Sequence, residues 1–128
     1  MNIDWIREYC CSLAGATEQV QWGDDLVFKV GGKMFAVLPL EPTGSWLSFK
    51  CTPEEFADLT ERPGLRPAAY LARAHWVSLE TEGVLPRREI ERLIRQSHGL
   101  VLSKLPRKTQ AKILKARTRA TRLRARKS

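Results

Sequence analysis

With 128 residues, 43% hydrophobic content and four Trp, the chain has material for one domain with a real core. Its formal net charge of +8 is unevenly spread: residues 104–128 hold eleven basic residues and no acid, and the other 103 hold eleven Lys/Arg against fourteen Asp/Glu, a net of −3. No apolar run approaches the roughly 18 residues of a membrane span, and Met1-Asn2-Ile3-Asp4-Trp5 has neither the basic nor the apolar region of a signal peptide. A cytoplasmic protein without membrane attachment is therefore expected.

In chain order, Asn2 is placed to cap a first helix, with Trp5, Ile6, Tyr9, Cys10 and Leu13 on one face and Gly15 as its stop. Val20 to Gly23 reads as a short strand or an extended lead-in. Leu26–Val30 and Lys33–Leu38 are strand-like runs joined by Gly31-Gly32, a hairpin signal because primed turns need positive φ. Trp46–Cys51 is a third strand, reached through Pro39, Pro42 and Gly44.

Thr52-Pro53-Glu54-Glu55 opens a second helix as a capping box with proline at its first position. Pro63-Gly64 ends that helix, and Pro67–Arg73 reads as a short helical turn. His75–Glu80 is a fourth strand. Pro86 starts the last helix of the body, with Ile90, Leu93, Ile94, Ser97 and Val101 as its buried face. Gly99 costs about 1 kcal/mol there relative to Ala and marks an expected break. Pro106 closes the body, a domain of residues 1–106. Residues 107–128 form a basic tail with little to bury beyond Ile113, Leu114 and Leu123, expected to be disordered or a frayed helix. Hairpin-linked strands with helices at the ends and in one crossover give an α+β class: two layers, an antiparallel sheet with helices on one face.

A two-residue turn pairs residues whose numbers sum to 63, setting Val30 against Lys33, Phe28 against Phe35 and Leu26 against Val37. These, Lys33 apart, would face the core with Leu47, Phe49, Cys51, Val77 and Leu79; Lys33 would sit at the rim. The opposite face would carry Val27, Lys29, Met34, Ala36 and Leu38, together with Trp46, Ser48, Lys50, Trp76 and Ser78. Lysines interleaved with tryptophans on an open sheet suit phosphate contacts and base stacking. A slip of one residue would exchange the faces.

Catalytic signatures are absent: there is no P-loop, GxGxxG, GxSxG or HExxH. Cys10, Cys11 and Cys51 have no zinc spacing and read as reduced thiols. Asp24-Asp25 reads as turn chemistry, and Asp4 with Glu8 falls short of a metal site. No enzyme activity, metal or cofactor is expected.

The run Val20-Gln21-Trp22-Gly23-Asp24-Asp25-Leu26-Val27-Phe28-Lys29-Val30-Gly31-Gly32-Lys33-Met34-Phe35-Ala36 resembles the signature of the MmcQ/YjbR family. Ser48-Phe49-Lys50 with Pro53-Glu54 fits the same pattern. So do His75-Trp76-Val77 and Ser97-His98-Gly99-Leu100-Val101 with Lys104-Leu105-Pro106. The resemblance covers about residues 1–108. It implies a CyaY-like, or frataxin-like, α+β fold and DNA binding through a double-wing surface, which would use the tips Gly31-Gly32-Lys33 and Pro42-Thr43-Gly44. The basic extension is outside the family pattern.

The expected function is thus a small non-enzymatic nucleic-acid-binding protein, with DNA as the first partner. Lys29, Lys33, Lys50, Trp46 and Trp76 are its body contacts. Lys104, Arg107, Lys108, Lys112 and Lys115, followed by Arg117, Arg119, Arg122, Arg124 and Arg126, are its phosphate contacts. The alternative is a protein- or small-molecule-binding module of frataxin-like fold.

Overall fold

Ile6 and Cys10, one helical turn apart, are buried, and Trp5, Tyr9 and Leu13 lean on the same core from α1 (Asp4–Ser12). The computed structural model describes residues 3–41 and 45–116, so the expected cap Asn2, the tip Pro42-Thr43-Gly44 and residues 117–128 lie outside the described residues. Six strands follow in an antiparallel sheet of order β1-β2-β3-β4-β6-β5. They are β1 (Ala16–Gln21), β2 (Asp25–Val30), β3 (Lys33–Pro39), β4 (Ser48–Lys50), β5 (Leu65–Pro67) and β6 (Trp76–Leu79). α2 (Pro53–Leu59) links β4 to β5, and α3 (Arg87–Ser103) packs across β3 and β4. A further helical stretch, α4, begins at residue 107 and runs to residue 116, the last described. One apolar cluster joins α1, Leu59 of α2 and α3 to a single face of the sheet. This is the two-layer α+β architecture.

The extended lead-in is longer than expected: β1 pairs with β2 along its whole length, from Ala16↔Val30 to Gln21↔Asp25. Pro67–Arg73 is not one helical turn, because Leu65–Pro67 pairs with β6 as an edge strand and a 3-10 turn follows at Ala72–Ala74. Edge position suits Pro67, which has no N–H for a second neighbour. The second helix caps as its sequence implies: Glu55 N–H donates to Thr52 Oγ1 at 3.1 Å.

The hairpin turn forms with φ of +57° at Gly31 and +81° at Gly32. Beyond it the register departs from the simple rule. Val30↔Lys33 and Lys29↔Met34 hold, but the next pair is Phe28↔Ala36, and Leu26 faces Leu38. Phe35 is the extra residue of a β-bulge. The bulge turns Ala36 and Leu38 into the core and leaves Val37 on the second face, partly exposed; Phe35 stays buried. A second irregularity corrects Trp46. Trp46 N–H donates to Leu79 O at 2.7 Å, and Leu79 N–H donates to Leu47 O at 2.9 Å. Two residues thus oppose one, alternation breaks, and Trp46 joins Leu47 in the core with no exposed surface.

Ser97 of α3 is wedged where β3 and β4 part. Its hydroxyl donates to Phe35 O at 2.6 Å and accepts from Lys50 N–H at 2.9 Å. β3 and β4 pair only at Ala36↔Phe49 and Val37↔Ser48, so Ser97 supplies the connection that the bulge removes. His98, the next residue, donates from Nε2 to Ala14 O at 2.7 Å and sets its ring edge-to-face with Phe35. With both faces of this turn engaged, α3 runs through Gly99 unbroken to Ser103. Gly99 is on the exposed side with open space where a Cβ would stand.

The chain after α3 returns over the domain on two glycine seats, Leu105 on one and Ile113 of α4 on the other. A Cβ at Gly31 would stand 2.5 Å from Leu105 Cδ1, and one at Gly15 2.8 Å from Ile113 Cγ2. The described part of the tail, to residue 116, is helical and rests on the core through Ile113.

Ser97→Ala should cost about 2–4 kcal/mol, because two backbone groups lose their partner. A lower denaturant midpoint with unchanged slope in equilibrium unfolding checks this. Gly99→Ala should stabilise by about 0.5–1 kcal/mol, since the helix is intact there and the site is open; an unchanged or lower melting temperature would contradict it.

Candidate functional site: a lysine-rimmed cleft

The gap between β3 and β4 opens into a cleft of about 370 Å³. Three lysines from three elements line it: Lys33 at the hairpin turn, Lys50 at the end of β4 and Lys104 at the C-terminal cap of α3. Its apolar walls are Met34 and Trp76 from the sheet and Val101, Leu105 and Pro106 from the helical layer. No acidic side chain is among the lining residues.

Each element has a local reason to deliver its lysine here. Met34 pairs with Lys29 and so lies on the sheet's second face, next to the bulge. Lys50 pairs with Trp76, which fixes both on that face. Lys50 Nζ donates to Ala74 O at 2.8 Å, which holds the side chain along the 3-10 turn. Lys104 follows the last turn of α3, where a cation is favoured by the helix dipole. That negative helix end is covered. Gln110 of α4 donates from Nε2 to Ser103 O at 3.1 Å and to Leu105 O at 2.8 Å.

Burial and the facing charge of Lys104 lower the Lys50 pKa below the ordinary lysine value, burial being the larger cause. Like charges held together without a carboxylate among the lining side chains are poised for an anion. Elsewhere on the body arginines pair with carboxylates: Arg7 with Glu18 at 2.6 Å, Arg62 with Glu89 at 3.0 Å, and Arg87 with Glu91 at 2.8 Å.

Of the expected body contacts, Lys33, Lys50 and Trp76 meet at the cleft with Lys104. Trp76 faces away from the core, as the alternation of β6 requires, but it is 4% exposed and forms a wall rather than an open platform. Trp46 is in the core, and its Nε1 has no partner among the described residues. Lys29 lies half-buried on β2, in register with Met34, and does not line the cleft. Arg107, Lys108, Lys112 and Lys115 are exposed on α4, which starts at the cleft's edge. Arg117, Arg119, Arg122, Arg124 and Arg126 lie outside the described residues.

Sequence reasoning missed the roles of Ser97, Leu105 and Pro106. The available signal was Gly31, which serves the turn and also admits Leu105. The cysteines lie elsewhere. Cys51 Sγ donates to the backbone carbonyl of His75 at 3.2 Å, and burial pushes its thiol pKa up to about 11. Cys10 is buried, which also raises its pKa, and Cys11 is exposed beside Glu18. The His75 ring packs edge-to-face on Phe56. Among the described residues, no three His, Cys, Asp or Glu side chains group to hold a metal, and no helix is long and apolar enough to cross a membrane.

The fold and cleft define a small α+β domain with a cationic opening through a split sheet. The YjbR family model matches residues 11–100, most of the domain, and the chain belongs to that family. It is 29% identical over 110 residues to the Escherichia coli K12 protein YjbR, described as uncharacterized, with 83% of this chain and 92% of that protein covered. A crystal structure of a Deinococcus radiodurans protein carrying the DUF419 domain superposes with a TM-score of 0.78 at 28% identity, covering 88% of this chain and 87% of that one. A Pseudomonas syringae protein gives a TM-score of 0.64 at 26% identity, covering 79% of this chain and 99% of that one.

Lys50 should lose its proton at a lower pH than an ordinary lysine, because its lowered pKa favours the neutral amine. Side-chain ammonium resonances followed by NMR through the alkaline range check this. Lys104→Gln should move the Lys50 transition back toward ordinary lysine; no movement would mean that Lys104 does not act on it.

Proposed function

We propose that this protein is a non-enzymatic nucleic-acid-binding protein of the cytoplasm, acting on DNA through phosphate contacts. The observation that carries the reading is the convergence of Lys33, Lys50 and Lys104 on one cleft without an acidic lining residue, followed along the chain by the exposed cations of α4. The rest of the body is net acidic, and Arg7, Arg62, Arg87 and Arg92, half of its arginines, pair with carboxylates. A polyanion would therefore be held at this corner of the domain, where phosphate neutralisation releases counterions.

The contact surface differs from an open stacking sheet. Trp46 is unavailable and Trp76 is reachable only through the cleft. Affinity would come from the lysines at the hairpin, β4 and α3, then from Arg107, Lys108, Lys112 and Lys115, and then from the six basic residues of 117–128. The hairpin tip with Lys33 is also the part of the double-wing expectation that lies among the described residues.

Salt titration of binding to mixed-sequence duplex DNA separates these parts. Removing residues 117–128 should flatten the slope of log K against log salt by about 5, from about 0.9 per lost contact. Changing Lys33, Lys50 and Lys104 together to Ala in the full chain should flatten it by a further 2 to 3, about equally for all sequences. Binding at low salt that neither change alters would overturn the proposal.

A further inference from the structure

The cleft is lined by apolar side chains from both layers as well as by lysines, so it is more than a charged surface. Its volume of about 370 Å³ lies in the range of small-ligand sites, roughly 300–1,000 Å³. Three ammonium groups stand around apolar walls that include one aromatic ring. A fatty acid or other monoanion would leave most of that positive charge without a partner. A phosphate monoester carries up to two negative charges and three acceptor oxygens. A heterocycle attached to it can lie on the apolar surface of Met34 and Pro106, beside the small exposed part of Trp76.

We propose that the cleft binds a single nucleotide, the phosphate on Lys33, Lys50 and Lys104 and the base on the apolar surface of Met34 and Pro106 beside the edge of Trp76. The nucleotide comes either free or as the unpaired end of a strand, both having the same chemistry. The inference rests on the nucleic-acid reading for the second source only. Two features refine it. The lining offers no Asn, Gln, Asp or Glu side chain to read a base edge, so the site tolerates any base. The chain around the site is braced on both sides. Ser97 fixes the start of the gap, and Leu105 on Gly31 fixes its floor, so the cleft is preformed.

The test uses the full chain and adenosine 5′-monophosphate, uridine 5′-monophosphate, ribose 5-phosphate, adenosine and inorganic phosphate in calorimetric titrations. Both nucleotides should bind at one site with affinities within about threefold of each other, and each should exceed ribose 5-phosphate and adenosine by tenfold or more. In NMR spectra the shifts should centre on Met34, Trp76 and Leu105. The double variant Lys33→Glu, Lys104→Glu changes two exposed side chains and so spares the core; it should reduce nucleotide affinity at least tenfold. Equal weak binding of nucleotide and ribose 5-phosphate, or nucleotide binding unchanged in the double variant, would overturn the inference. A single-stranded oligonucleotide with a 5′-phosphate, competed against the mononucleotide, identifies the strand end as a source. Nucleotide binding without any binding of oligonucleotide or duplex sustains the cleft and refutes the nucleic-acid reading. Duplex binding without nucleotide binding does the reverse.

Discussion

The hydroxyl of Ser97 holds the centre of this structure together. A β-bulge at Phe35 removes one connection between β3 and β4, and one side chain from α3 replaces it by donating to one strand and accepting from the other. A hydroxyl is suited to this because it is donor and acceptor in one atom. The bridge fixes α3 along its axis and keeps the two strands apart beyond it. The fold thus gains a six-stranded sheet that is continuous in order yet open near the hairpin turn.

What fills the opening is set by the helical layer. Val101 and Leu105 come up from α3 and its end, and Gly31 lets Leu105 approach the hairpin more closely than any other residue would allow. The charged part comes from chain ends and caps. Lys33 is beside a turn, Lys50 ends a strand and Lys104 follows a helix. These are positions where long side chains keep their charge near water while their stems lie on apolar surface. Lys50 holds its proton less firmly than an ordinary lysine, first because it is partly buried and then because Lys104 repels it. An anion in the cleft would relieve that repulsion, so binding and protonation of Lys50 are linked.

The described start of the tail and the cleft form one electrostatic feature rather than two. α4 leaves from Pro106 at the cleft, and Ile113 docks it against Gly15, so its four cations stand in a fixed relation to the three cleft lysines. A net charge of −3 on residues 1–103 surrounds this corner with mild repulsion for anions. In the proposed nucleic-acid role, that contrast restricts a polyanion to one side of the domain.

The sequence by itself determined most of the elements and the family. Hydrophobic period placed α1 and α3, Thr52-Pro53 placed α2, and Gly31-Gly32 placed the hairpin, because each is a local matter of capping, turn dihedral or one buried face. It also placed Lys50 and Trp76 together on the second face, with Lys33 at the rim beside the turn. Tertiary structure decided the rest. A bulge is one extra residue with no local signature, so Val37 exchanged places with Ala36 and Leu38 when Phe35 was accommodated. Trp46 went inside because Leu79 is shared by two residues from another strand, a pairing separated by more than thirty positions in the chain. Gly99 stayed helical because Ser97 and His98 are bonded to β3, β4 and the α1–β1 turn. The cleft itself needed the split sheet and the end of α3 at once, and no stretch of sequence encodes a space between separate elements.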